Sequence, residues 1–162
     1  LYPALLASCG VAPDDSQAVL RELADRDFVG IDRELASLDL SGDQAAMLAA
    51  VPRMRGTEAL AEPFDALLEE PIQAISDLIE SLEADVAARM IPDLGRFPRM
   101  GYYSNVVFEV YDPALGEPIA SGGYYAELLG RFEMPIGGVG FAIDVDLLHA
   151  ALAGEERGET GR

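Results

Sequence analysis

The stretch YYSNVVFEVYDPALGEPIASGGYY, Tyr102–Tyr125, decides how this chain is read. Its first part, Tyr102–Asp112, is dense in β-branched and aromatic side chains, which suit a pleated, half-buried surface. PALG follows, with Pro113 and Gly116 supplying turn backbone, and EPIASGGYY returns as the partner strand. The segment is therefore a β-hairpin. Downstream, AELLGRF (126–132) reads as a short helix or turn, GGVGFAIDVD (137–146) as a further strand, and DVDLLHAALAG (144–154) as a closing helix. Upstream, VAARMI (Val86–Ile91), ended by Pro92, is a short strand candidate.

Before residue 85 the period changes to helical. PDDSQAVLRELADRD offers Asp15 or Ser16 as N-cap, with Val19, Leu20 and Leu23 on one face. A second helix is expected from about Val29 to Leu38 and a third after the cap Ser41, ended by Pro52. TEALAEPFDALLEE is a fourth, broken near Pro63. The longest begins with Pro71 in its first turn and carries Ile72, Ile75, Leu78, Ile79 and Leu82 as an amphipathic stripe. Helices followed by strands argue an α+β fold: a helical segment over 1–84, an antiparallel sheet with closing helix over 85–153, and a polar tail over 154–162. Neither glycine pair forms a dinucleotide fingerprint, and no phosphate-binding loop is present.

Composition narrows the function. The 162 residues suit about one domain. Twenty-nine acids against eleven bases leave a charge of −18, which repels nucleic acid and anionic membranes. No apolar run approaches a membrane span, and the start lacks the basic region of a signal peptide. A lone Cys9 allows no internal disulfide, which fits a cytoplasmic protein. The single His149, in a helical run without a ligand-spaced partner, reads as a surface residue rather than a metal ligand or triad base. Asp144 and Asp146 stand at a helix mouth, where capping and the helix dipole favour acids, and are read so rather than as a metal pair.

Three blocks in order then carry a resemblance. DLGRFPRMGYYSNVVFEVY (Asp93–Tyr111), ASGGYYAELLGRF (Ala120–Phe132) and GGVGFAIDVDLL (Gly137–Leu148) resemble the C-terminal part of a class II aminoacyl-tRNA synthetase catalytic domain in its histidyl version. They look like its R-G-L-D-Y-Y…V-F-E block, its G-G-R-Y-D-x-L block and its third class II motif. The resemblance implies a small amino-acid pocket to which Tyr103, Tyr125, Gly122, Gly123 and Glu109 contribute as histidine-binding residues. Read without it, the tyrosines are sheet residues and the glycines bends or bulges.

The departures redirect the function. Pro98 stands where the synthetase arginine would stabilise the α-phosphate, with Arg99 one place later and, in an extended segment, on the other face. Tyr124 and Ala126 replace an arginine and an aspartate, and Leu147 replaces the arginine that would stack on adenine. This pattern is similar to that of the ATP phosphoribosyltransferase regulatory subunits of histidine biosynthesis, which share the synthetase fold without aminoacylation. The resemblance implies a C-terminal part of such a subunit: no catalytic residues, no cofactor and no metal. As partners it implies a short-form catalytic subunit, histidine as feedback effector, and self-association. Two alternatives stay open: a divergent synthetase-like enzyme that activates an amino acid with ATP, and an orphan interaction module.

Overall fold

The structure, a computed structural model, describes residues 1–62, 66–97, 103, 106–125 and 136–156. The chain divides into two units, Leu1–Phe97 and Pro98–Arg162. Each is described by itself.

The first unit is helical: α1 (Tyr2–Ser8), α2 (Pro13–Asp25), α3 (Phe28–Ala36), α4 (Gly42–Ala50), α5 (Ala66–Glu80) and α6 (Ala84–Ala87), with 3-10 turns at Val51–Arg53 and Thr57–Leu60. One cluster of buried side chains holds α1 to α5 together, and α6 contributes none to it. Leu5 and Leu6 of α1, Val19 and Leu23 of α2, Ile31 and Leu35 of α3, Leu48 of α4 and Leu68 and Ile72 of α5 all belong to it. Each such side chain removed from water contributes roughly 1.5–3 kcal/mol.

Local signals set the helix ends. Ser41 caps α4 as expected, and it does so in a reciprocal capping box: its hydroxyl accepts from the Gln44 amide while the Gln44 side chain accepts from the Ser41 amide. The Asp27 carboxylate accepts from the Gly30 amide at 2.9 Å and starts α3. Helix α2 begins earlier than its acids suggested. Its N-cap is Ala12, because Pro13 fits the first helical position and Asp14 and Asp15 then face the helix dipole from within the first turn.

Two expectations fail in instructive ways. Helix α5 does not begin at Pro71 but runs through it from Ala66. Buried Leu68 and Ile72 flank the proline on one stripe, so packing keeps the helix continuous despite the amide that Pro71 cannot supply to Leu67. The residues expected as a strand at Val86–Ile91 instead start with α6, capped by an extended Glu83. Alanine at 84, 87 and 88 favours helix, and among the described residues β-pairing near here is limited to an isolated Arg55–Asp93 bridge.

That bridge ties Asp93 to Arg55, and both lie in the first unit, which runs to Phe97. The Asp93 carboxylate receives Arg26 Nη1 and Arg55 Nε, each at 3.0 Å, and its other oxygen accepts from the Gly95 amide. Leu94 joins the helical core. Gly95 lies so close to the Pro52 carbonyl that any side chain there would overlap it. Residues 91–97 are thereby laid down on the helical unit.

Among the described residues, the second unit is a three-stranded antiparallel sheet in the order β1 (Val107–Tyr111), β2 (Pro118–Tyr125), β3 (Gly138–Ile143), followed by α7 (Val145–Glu156). The hairpin of β1 and β2 is the one expected, with a register irregularity between Val110 and Tyr111. The Asp144 carboxylate accepts from the Asp146 and Leu147 amides at 3.0 Å and caps α7, the role its position suggested. The segment expected as a helix or turn, 126–132, lies outside the described residues, as do 157–162 of the tail. Among the described residues no helix is long and apolar enough to cross a membrane. The architecture is α+β.

Candidate functional site

Strand register sorts the side chains of the sheet. Val107 pairs with Gly123, and Gly123 with Gly140; Glu109 pairs with Ser121, and Ser121 with Ala142; Tyr125 pairs with Gly138. Directly opposed residues share a face, so Glu109, Ser121, Gly123, Tyr125, Gly138 and Gly140 line one side. Tyr103 joins them: a Cβ added to Gly123 would lie 2.7 Å from a carbon of its ring. The Tyr125 ring covers Gly138, where a Cβ would lie 2.5 Å from it. Glycine at these positions is what lets two aromatic rings come this close to the backbone.

Four of the five candidate residues therefore share a face: Tyr103, Glu109, Gly123 and Tyr125. Gly122 does not. It pairs with Phe108 and Phe141, whose side chains close over it on the opposite side. That opposite face is apolar, with Val110, Val139 and Ile143 beside the two phenylalanines; Val139 and Phe141 are 72% and 68% exposed. Tyr124 belongs to it too, its hydroxyl against Gly137 and its amide donating to the Val106 carbonyl at 3.0 Å. Leu147 sits half-buried in the first turn of α7. Pro98, Arg99, Tyr102 and Ala126 lie outside the described residues.

One contact at the site was not anticipated. The Tyr111 hydroxyl donates to Glu109 Oε2 at 2.6 Å. Alternation along a strand puts residues two apart on the same side, and that spacing was the available signal. A charge-assisted bond of this length narrows the positions open to the carboxylate.

The face can thus offer a carboxylate, two phenols and a glycine floor. This is chemistry for a small cationic or hydrogen-bond-donating ligand flanked by aromatic walls. Among the described residues of the second unit there is no arginine or lysine, so none there could hold a phosphate by charge. No group of three or more metal-ligating side chains occurs among the described residues. His149 is exposed on α7.

Comparison with known proteins gives the fold its family. A family model described as histidyl-tRNA synthetase matches residues 1–148. The chain is 35% identical over 160 residues to the ATP phosphoribosyltransferase regulatory subunit of Symbiobacterium thermophilum, covering 95% of this chain and 39% of the relative. It is 36% identical over 141 residues to the protein of that name from Halalkalibacterium halodurans, covering 83% and 36%. A crystal structure described as an ATP phosphoribosyltransferase regulatory subunit/histidyl-tRNA synthetase from Bacillus halodurans superposes with a TM-score of 0.85 at 31% identity, over 93% of this chain and 41% of that one. A histidine–tRNA ligase subunit from Alicyclobacillus acidocaldarius gives a TM-score of 0.65 at 27% identity, over 96% and 52%. The chain spans about two-fifths of the length of these curated relatives. The chain belongs to the histidyl-tRNA synthetase family, and the curated relatives it matches carry the name ATP phosphoribosyltransferase regulatory subunit.

Proposed function

We propose that this chain serves in the cytoplasm as part of a non-catalytic regulatory subunit of ATP phosphoribosyltransferase. It activates a short-form catalytic subunit in the condensation of ATP with phosphoribosyl pyrophosphate, the first step of histidine biosynthesis, and helps transmit feedback inhibition by histidine. Histidine is held on the face of Tyr103, Glu109, Gly123 and Tyr125, the backbone of Gly122 running beside it, and the subunit self-associates. It needs no cofactor.

The observation that carries this reading is the identity of Tyr124 and Leu147. They stand where the synthetase resemblance calls for arginines, and neither side chain can neutralise a phosphate. The names of the relatives point the same way. The experiment measures initial rates of the condensation by a short-form catalytic subunit with and without this chain, and with and without histidine. Stimulation by the chain that histidine reverses is the expected result; no effect of the chain on the rate sinks the proposal.

The match to the histidyl-tRNA synthetase family model supports a second reading, a divergent enzyme that activates an amino acid with ATP. Histidine-dependent exchange of pyrophosphate into ATP by this chain would decide for it.

A further inference from the structure

We infer that the groove between the 3-10 turn Thr57–Leu60 and helix α5 is the docking surface for a basic, apolar-anchored segment of the catalytic partner. The inference rests on the partner proposed above and adds the place and chemistry of the contact.

The groove lies wholly within the helical unit. Its main part has a volume of about 660 Å³ and a continuation of about 320 Å³, joined through Leu60 and Ser76, which line both. Leu60, Ile72 and Ile79 give it an apolar floor. Glu62, Glu69, Glu70 and Glu80 stand around that floor, all four exposed. The described salt bridges of the unit, made by Arg26, Arg33, Arg53 and Arg55, engage acids elsewhere. Between Gly56 and Ala88 the chain has nine acidic residues and no basic one.

An acidic surface alone would mean only solvation. Here the acids ring an apolar floor, and that combination selects an occupant. Lysine and arginine carry long aliphatic stems that lie on apolar surface while their charged heads meet carboxylates. A segment with two or three such residues around an aliphatic or aromatic anchor fits both parts of the groove. Nucleic acid and anionic lipid are repelled by it. The same acids disfavour an acidic segment of a second copy in this groove, so self-association would use other surfaces.

The test titrates short-form catalytic subunit into three proteins at about 50 mM and about 300 mM salt, where screening differs strongly. They are the unaltered chain, a groove variant (Glu69→Gln, Glu70→Gln, Glu80→Gln), and a control with equal charge removed elsewhere (Asp15→Asn, Asp39→Asn, Asp43→Asn). Docking in the groove predicts about a tenfold weaker complex and a flatter salt dependence for the groove variant only, with histidine binding unchanged. Equal affinities for the groove and control variants overturn the groove. An unaltered chain that does not bind the catalytic subunit overturns the groove and the proposed function together.

Discussion

Tyr2 shows how much one hydroxyl can decide. In α4 the carbonyl of Leu48 would normally receive the amide of residue 52, but that residue is Pro52 and has none. The Tyr2 hydroxyl donates to it instead, at 2.7 Å, in the core. Tyr2→Phe leaves a buried carbonyl unpaired, and we expect a loss of about 1–3 kcal/mol by denaturant titration. Burial pushes the Tyr2 phenol well above its ordinary value near 10. Below about pH 10 folded and unfolded chains both keep the proton, and the bond contributes in full. Above it the unfolded chain ionises first, so stability falls as pH rises toward the raised folded value. Tyr2→Phe should remove this part of the alkaline destabilisation, and a variant with an undiminished pH dependence would refute the assignment. Nothing in the local sequence announces a contact across 46 residues; only the missing amide at Pro52 could be read there.

On the sheet, Gly123 is the residue whose replacement speaks most directly to the proposed histidine binding. A methyl group at Gly123 meets the Tyr103 ring at 2.7 Å and the Val106 carbonyl at 2.8 Å, so Gly123→Ala must open both contacts. We expect histidine affinity, measured by calorimetry, to fall about tenfold, with the far-ultraviolet dichroism retained. Alternation alone placed Glu109 opposite Phe108 and Val110. The apposition of Tyr103 on Gly123 and Tyr125 on Gly138 needed the cross-strand register, which one strand's sequence does not contain.

Elements were legible where local chemistry is self-sufficient and misread where packing overrides it. The capping box of Ser41 and Gln44 is written in four consecutive residues, and the structure has it. The Asp144 cap is equally local; Asp144→Ala should cost about 1 kcal/mol in thermal or denaturant unfolding. Pro71 is the opposite case. Local rules place it in a first turn, yet Leu68 and Ile72 are both buried, and their shared burial carries α5 through it. Pro71→Ala restores the amide that Leu67 lacks and relieves the ring, at the expense of a freer unfolded chain. The net expectation is a gain of about 1–2 kcal/mol, and a destabilised variant would show that the proline is accommodated by something other than packing. The Val86–Ile91 misreading has the same root: Val86, Met90 and Ile91 looked like strand residues, but alanines favour helix, and among the described residues no strand pairs with them.

At the scale of the whole chain, burial is unevenly shared. All but one of the buried apolar side chains among the described residues belong to Leu1–Phe97, the exception being Ala151. Leu94 and the Asp93 clamp bring the end of that unit back onto its own helices, so its last residues are held rather than trailing. Residues 1–97 expressed alone should therefore fold cooperatively, with helical dichroism and a single thermal transition, since domains of this length commonly bury enough surface to stand alone. Residues 98–162 present a three-stranded sheet with one apolar face largely in water, and in isolation should show no cooperative transition. Added salt gives the second reading of the same samples. With nine acids and no base between Gly56 and Ala88, self-repulsion works against the first unit, so screening should raise its transition temperature. A 1–97 fragment without a cooperative melt at any salt concentration would mean that the helical core, continuous as it is, depends on residues beyond Phe97.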